Sequence, residues 1–142
     1  MALVYHKPLT GIDPDTVSLE SLVGRRVLVV GSGGREHAIV DALSRSGSVG
    51  KIYCAPGNAG IAAQAECVPI RETDIQALVD FASQNSIDLT VVGPEVPLSM
   101  GIADAFTAAG LRIFGPSAAA ARIESSTDFA QRLIAKHAVP TA

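Results

Sequence analysis

Tryptophan is absent from this 142-residue chain, and aromatic residues together make up only 4% of it. The apolar core must therefore be built mainly from Val, Ile, Leu and Ala, as in buried parallel strands. No apolar run approaches the length of a membrane span, and the first residues lack the basic start and apolar run of a secretory signal. These absences favour a cytoplasmic protein without a membrane partner.

Concentrated positive charge is absent as well, because 11 Lys and Arg residues face 14 Asp and Glu residues, a net charge of −3. A nucleic-acid partner needs a basic patch, so none is expected. The two cysteines, Cys54 and Cys67, show neither a metal-ligand spacing nor a disulfide framework. Both are predicted to be small core residues kept reduced, and no metal site is expected.

Apolar strand patterns alternate with helical patterns from Arg25 onward. The alternation predicts an α/β fold, with an open, doubly wound parallel sheet of about five strands covered by helices on both faces. The predicted strands are RVLVVG, KIYCA, AECVPI, IDLTVVG and LRIFG. The clearest predicted helices between them are GREHAIVDALSRSG, TDIQALVDFASQN and LSMGIADAFTAAG.

Each predicted helix carries local signals for its ends or its inward face. The second begins with a capping box of Thr73 and Gln76, with Asp74 as a favourable charge beside it. The third is predicted as one continuous helix that ends at Gly110. The inward face of the first helix is predicted to consist of Ala38, Ile39, Ala42 and Leu43.

Composition divides the chain into three parts. Residues 1–24 are predicted to be an N-terminal extension, because they carry turn residues and weak periodicity. Residues 25–124 form the predicted Rossmann-like domain. Residues 125–142 are predicted to be a helix and a linker, with Phe129, Leu133 and Ile134 turned inward.

Doubly wound sheets bind ligands beyond the carboxyl ends of their strands. Four segments fall there: GSGGREH, APGNAG, GPEVPL and GPS. In the first, Gly31, Gly33 and Gly34 can present backbone amides to an anion, and Arg35 can add a charged donor. A glycine-rich turn alone is equally compatible with a simple tight turn.

For each of three polar residues at these strand ends, the sequence allows two interpretations. Glu36 occupies the place of the third glycine of a dinucleotide fingerprint, and either faces a ligand or stabilises the helix start by its charge. Asn58 is either a donor to a sugar or phosphate oxygen or a left-handed turn residue. Glu95 is either an exposed loop residue or a ligand contact, and Pro94 beside it favours the contact.

The same residues disfavour two common classes of enzyme site. The missing third glycine, and the missing acid after the second strand, argue against a nicotinamide dehydrogenase. No catalytic array of Ser, His and Asp, of Cys and His, or of paired carboxylates can be assembled, and His37 has Asp41 at i+4 where a second metal ligand would stand. The residues alone predict a binding platform without a reaction centre.

Taken in order, several segments resemble the amino-terminal, preATP-grasp part of the phosphoribosylamine–glycine ligase family, also called glycinamide ribonucleotide synthetases. The resemblance covers about residues 25–142, and four motifs in the correct order and spacing make it specific. The segments that carry it are RVLVVGSGGREHAI, APGNAG, TDIQALVDFA, the run from IDLTVVGPEVPL to ARIESS, and AVPTA.

The resemblance implies an ATP-dependent C–N ligase of de novo purine biosynthesis, which joins glycine to 5-phosphoribosylamine through a glycyl phosphate. It also implies that ATP, Mg²⁺ and glycine are held by domains outside this chain, so that no cofactor binds here and the chain alone is inactive. Carried over by matching positions, the residues lining the phosphoribosylamine pocket would be Gly31, Gly33, Gly34, Arg35, Glu36, Asn58, Gly93, Pro94 and Glu95.

The chain departs from the family pattern at two places. Thr127 stands where members usually carry a lysine, and the sequence stops at Ala142, about where an ATP-grasp region is expected to begin. We therefore keep a second hypothesis, a stand-alone, non-catalytic module of the same fold that binds a phosphorylated sugar or nucleotide.

Overall fold

A computed structural model describes residues 24–137, apart from the side chain of residue 124. All but the last residue of the predicted extension, and residues 138–142 of the predicted linker, lie outside this range. The strands are β1 (Arg25–Gly31), β2 (Val49–Pro56), β3 (Glu66–Cys67), β4 (Leu89–Val92) and β5 (Ile113–Phe114). The helices are α1 (Gly34–Ser44), α2 (Ile75–Gln84), α3 (Glu95–Ser99), α4 (Ile102–Ala108), α5 (Ala118–Ser125) and α6 (Thr127–Lys136), with a 3₁₀ helix at Ile61–Ala63.

The five strands form one parallel sheet in the order β3-β2-β1-β4-β5. The order reverses at β1, so the chain winds outward from the middle in both directions. This arrangement confirms the predicted open, doubly wound parallel sheet of five strands.

Alternate residues of β1 contribute to two separate apolar clusters. Leu28 and Val30 pack with residues of α2, α3, α4 and α5, whereas Val27 and Val29 pack with residues of α1 and the 3₁₀ helix. Because successive side chains of a strand point to opposite faces, the sheet is covered on both sides. Residues 27–31 of β1 are thus buried, while Arg25 and Arg26 at its start are half-buried.

The inward face of α1 differs from the prediction. Glu36 and Val40 are buried, whereas Ala38 and Ala42 are exposed. The helix begins directly after the glycine-rich turn, and that turn presents the row of Glu36, Val40 and Leu43 to the sheet. An alternation of alanine and apolar residues could not fix this rotation, because alanine is tolerated on either face.

The predicted continuous helix over residues 98–110 is wrong. Two short helices, α3 and α4, are separated at Gly101, whose φ of +91° is left-handed. Glycine adopts this conformation at little cost, and the chain changes direction there. On either side of the break, the same core cluster includes Leu98, Ile102 and Phe106.

Two further helix predictions need correction. The N-cap of α2 is Asp74, whose carboxylate accepts from the Ala77 amide at 3.2 Å, so the helix begins one residue later than the capping box of Thr73 and Gln76 requires. On α6, Phe129, Leu133 and Ile134 are only half-buried, and the described part of that helix has no fully buried residue.

The helices of this fold are short. Within residues 24–137, none combines the length and the apolar character needed to cross a membrane.

The central packing gives a direct test of this core. Phe106 is fully buried, whereas Phe114 is 46% exposed. Phe106→Ala should therefore lower the free energy of unfolding by about 3–5 kcal/mol, and Phe114→Ala by less than about 1 kcal/mol. Urea denaturation followed by circular dichroism measures both variants, and equal losses would contradict the packing described here.

Candidate functional site

Loops after three neighbouring strands meet at one edge of the sheet. The Gly57 amide, after β2, donates to the carbonyl of Gly31 at 3.1 Å. The Gly93 amide, after β4, donates to the carbonyl of Val30 at 3.1 Å. The two outer loops therefore flank the glycine-rich turn at the end of β1. We call residues 31–36, 57–60 and 93–95 together the cradle.

Side chains also connect the three loops of the cradle. Asn58 donates from Nδ2 to the Ser32 carbonyl at 2.7 Å, which ties the loop after β2 to the glycine-rich turn. Arg35 and Glu95 form an ion pair at 3.1 Å, which ties that turn to the loop after β4. Three of the four predicted segments are thus brought together.

The fourth predicted segment, GPS, leads away into α5. Ser117 is the N-cap of that helix and accepts from the Ala120 amide at 3.4 Å. The neighbouring Ala118 amide donates to Asp104 at 3.0 Å. The contacts of this segment are accounted for by the turn out of β5 and the start of a helix.

The glycine-rich turn ends at the N-terminus of α1, an 11-residue helix. Ser32, Gly33, Gly34 and Arg35 are all exposed there. The first amides of a helix carry partial positive charge and lack partners within the helix, so this exposed turn is suited to an anion.

Arg35 and Glu95 are the exposed charges of the cradle, with 68% and 47% of their side chains accessible. The pKa of the Glu95 carboxyl is lowered, first by a hydrogen bond from its own backbone amide and then by the hydrogen bond and charge of Arg35. A carboxylate held ionised in this way can accept hydrogen bonds from hydroxyl or ammonium groups.

Asn58 is engaged at both ends of its side-chain amide. In addition to its bond to Ser32, its Oδ1 accepts from the Ile61 amide at 2.9 Å and so starts the 3₁₀ helix. The left-handed residue of this loop is Gly57, with φ +72°, rather than Asn58. The prediction that Asn58 adopts a left-handed conformation is therefore wrong. Its side chain instead stabilises the loop through these two hydrogen bonds.

Glu36 is the buried residue at the end of the glycine-rich turn, and only 4% of it is exposed. Its Oε2 accepts from the Gly33 amide at 2.6 Å, and its Oε1 has no hydrogen-bond partner among the described residues. This burial differs from both predictions for Glu36, which were a ligand contact and a charge at the helix start. The positions of Gly33 and Glu36, three apart as in a capping box, indicate the hydrogen bond to the Gly33 amide but not the burial.

The two cysteines support the cradle loops from below. Cys54 is buried and donates to the Gly31 carbonyl at 3.4 Å, and half-buried Cys67 donates to the Asn58 carbonyl at 3.6 Å. Burial raises the pKa of the Cys54 thiol to about 12, so it is protonated and unreactive at neutral pH. Both belong to an apolar cluster, as predicted for small core residues.

Two alternative sites on the described residues were considered, a metal centre and a second cavity. Within residues 24–137, no three His, Cys, Asp or Glu side chains are grouped to hold a metal ion. A separate, open cavity of about 530 Å³ lies along β2 and the 3₁₀ helix, where Lys51 and Glu66 pair with each other. No residue of the cradle lines this cavity. The exposed charges Arg35 and Glu95 lie beside the glycine-rich turn, at the carboxyl ends of the strands.

A family model described as "Phosphoribosylglycinamide synthetase, N domain" matches residues 25–124. The chain belongs to this family. Its glycine-rich turn, its loop after β2 and its GPE segment all lie within the matched range. The range matched by the family model therefore includes every residue of the cradle.

Curated relatives of this phosphoribosylglycinamide synthetase N domain are much longer than the chain. Phosphoribosylamine–glycine ligase of Caldanaerobacter subterraneus is 60% identical over 116 residues, which cover 82% of this chain and 28% of the relative. The enzyme of that name from Escherichia coli K12 is 51% identical over 119 residues, with the same coverage. The chain thus spans little more than a quarter of the relatives it matches.

Solved structures agree with the fold of the family. Phosphoribosylamine–glycine ligase from Thermotoga maritima superposes with a TM-score of 0.58 at 28% identity, over 82% of this chain and 26% of that one. A biotin carboxylase domain of a bacterial carboxylase superposes with a TM-score of 0.63 at 19% identity, over 82% of this chain and 30% of that one. At that low identity the second likeness shows a shared fold alone.

The Arg35–Glu95 pair predicts a measurable titration. Arg35→Gln should raise the pKa of Glu95 part of the way to the usual glutamate value, because the backbone hydrogen bond remains. Any stability from this carboxylate is present above the usual glutamate pKa and is lost as the pH falls through the lowered value. Carboxyl NMR titration measures the shift.

Arg45→Gln is the matched control for this titration, because Arg45 pairs with Asp41 at the far end of α1. It should leave the titration of Glu95 unchanged. An unaltered Glu95 pKa in Arg35→Gln would show that the ion pair is absent in solution.

Proposed function

We propose that this chain is the substrate-binding N-terminal domain of an ATP-dependent ligase that joins glycine to 5-phosphoribosylamine in purine biosynthesis. The observation that carries the proposal is the convergence of an exposed helix N-terminus, one arginine and one carboxylate in the cradle. This set matches a ligand with one phosphate, several hydroxyls and an amine. The ligase names of the relatives support the same substrate.

In this proposal the phosphate meets the guanidinium of Arg35 and the amides of the glycine-rich turn other than that of Gly33, which donates to Glu36. Gly34, where an added side chain would stand in open space, leaves room for the phosphate, whereas Gly31 and Gly33 leave room for Glu36 on the buried side of the turn. The phosphate competes with Glu95 for Arg35, so binding weakens the ion pair. The Glu95 carboxylate is then available to accept from ribose hydroxyls or from the amine.

The other residues of the cradle shape its wall in this proposal. Gly93 and Pro94 fix the path that brings Glu95 opposite Arg35. Asn58 holds the neighbouring loop through its bonds to Ser32 and Ile61. Glu36 lies beneath the turn and supports it from the buried side.

ATP, Mg²⁺ and glycine have no assigned residues on this chain. A metal centre built from three or more acidic, histidine or cysteine side chains does not occur in the part of the chain described, and the exposed charged groups of the cradle are Arg35 and Glu95. We propose that this domain binds and orients phosphoribosylamine through the exposed groups of the cradle, and no step through the nucleotide or the metal is assigned to its residues. The stand-alone module is not favoured, because the curated relatives are named as ligases.

Calorimetry with ribose 5-phosphate tests the proposed site. The chain should bind ribose 5-phosphate, and ribose without the phosphate should bind at least about tenfold more weakly, since a charge-assisted phosphate contact is lost. Arg35→Gln should weaken the affinity for ribose 5-phosphate by about tenfold. Arg45→Gln is the control and should bind like the unaltered chain. Equal affinities for the two sugars would refute a phosphate site here.

A chimeric enzyme tests the substrate of the whole ligase. Residues 25–142 would replace the matching segment of the Caldanaerobacter ligase, and ATP-dependent formation of glycinamide ribonucleotide would be measured. We expect activity, and Glu95→Gln in the chimera should raise the KM for phosphoribosylamine about tenfold while the KM for ATP stays within about twofold. Equal rises in both KM values would contradict a role of Glu95 at the sugar amine.

A further inference from the structure

The burial of Glu36 is unusual for its position. It lies in the first turn of α1, where the four preceding residues, 32–35, are exposed, yet only 4% of it is accessible. Glutamate is almost never fully buried unless it is paired, because removing a carboxylate from water is costly. The contacts that this carboxylate makes should therefore reveal a specific role.

Glu36 fills the space between the end of β1 and the loop after β4. A Cβ built on Gly31 would lie 2.7 Å from Glu36 Cγ and 2.9 Å from Pro94 Cδ. A Cβ on Gly93 would overlap Glu36 Oε1. The side chain thus lies between Gly31 and Gly93, at the starts of two loops of the cradle.

The carboxylate also holds one peptide unit of the glycine-rich turn. Glu36 Oε2 accepts from the Gly33 amide at 2.6 Å, while the Ser32 carbonyl of the same peptide accepts from Asn58 at 2.7 Å. The peptide plane is rigid, and its N–H and C=O point in opposite directions. Glu36 and Asn58 therefore hold the Ser32–Gly33 peptide from both sides and fix its rotation.

We propose that Glu36 is a positioning residue that orients the Ser32–Gly33 peptide and spaces the loops at 31–36 and 93–95. The orientation decides which amides of the turn face solvent, and the spacing decides where Arg35 stands relative to Glu95. This inference deepens the proposed function by giving Glu36 a role through the turn instead of a direct ligand contact. It also explains why position 93 has no room for a side chain.

Glu36→Met and Glu36→Gln separate the hydrogen bond from the bulk of the side chain. Methionine is similar in length but cannot accept from Gly33, whereas glutamine can. In Glu36→Met we expect hydrogen exchange at the Gly33 amide to accelerate at least about tenfold and the Kd for ribose 5-phosphate to rise about tenfold. In Glu36→Gln the Kd should rise by less than about threefold.

The melting temperature of Glu36→Met shows whether the variant is folded when its binding and exchange are measured. Replacing a buried charge by an apolar side chain of similar size is often neutral or stabilising, so the variant should remain folded. If Glu36 acts only as packing, the methionine and glutamine variants would bind ribose 5-phosphate equally and show the same Gly33 exchange. That result would overturn the proposal.

A double-mutant cycle with Gly93 tests the spacing without any ligand. Gly93→Ala alone should lower the Tm by more than about 5 °C, because its methyl group meets the Glu36 carboxylate. In the Glu36→Ala background the same change should cost much less, since the space is vacant. Equal Tm losses in the two backgrounds would contradict the spacing role.

These readouts also distinguish the inference from the proposed function. Absence of ribose 5-phosphate binding in the unaltered chain would refute the proposed site, while Gly33 exchange and the cycle would still decide the role of Glu36. If Glu36→Ala does not fold, the Gly33 exchange of the methionine and glutamine variants decides it alone.

Discussion

The parallel pairing of β1 with both β2 and β4 is the constraint on which the site depends. In this register Gly31 lies opposite Pro56, and Val30 lies opposite Val92. The three strands therefore end at the same level, and the residues that follow them must meet. Apolar packing on both faces of β1 holds this central strand between the helices that cover the sheet. The chemistry of the cradle is thus positioned by the core.

Much of this arrangement was predictable from local patterns. Buried apolar runs such as VLVV, separated by amphipathic segments and bounded by glycine, indicate a doubly wound sheet, and the topology of such sheets places the strand ends together. Arg35 and Glu95 could therefore be expected at one edge. Their ion pair could not, because it depends on side-chain conformations across two loops that are 60 residues apart.

The features that the sequence did not reveal depend on distant residues. Glu36 is buried because Gly31 and Gly93 leave room for it, and no local pattern connects positions 36 and 93. The break at Gly101 was not predicted either, because Leu98, Ile102 and Phe106 are spaced four residues apart and would share one face of a continuous helix as well. At Glu36, tertiary packing overrides a local preference, as is common near functional sites.

The outer strands of the sheet are only two residues long, Glu66–Cys67 on one side and Ile113–Phe114 on the other. A longer edge would offer a row of unpaired amides and carbonyls on which a second molecule could add a strand. On the β3 side, the ion pair of Lys51 and Glu66 adds charge beside the short edge. Each edge of the sheet therefore offers few free backbone groups to a strand of a second molecule. The short edges in this way limit aggregation through the sheet that contains the valine-rich strand β1.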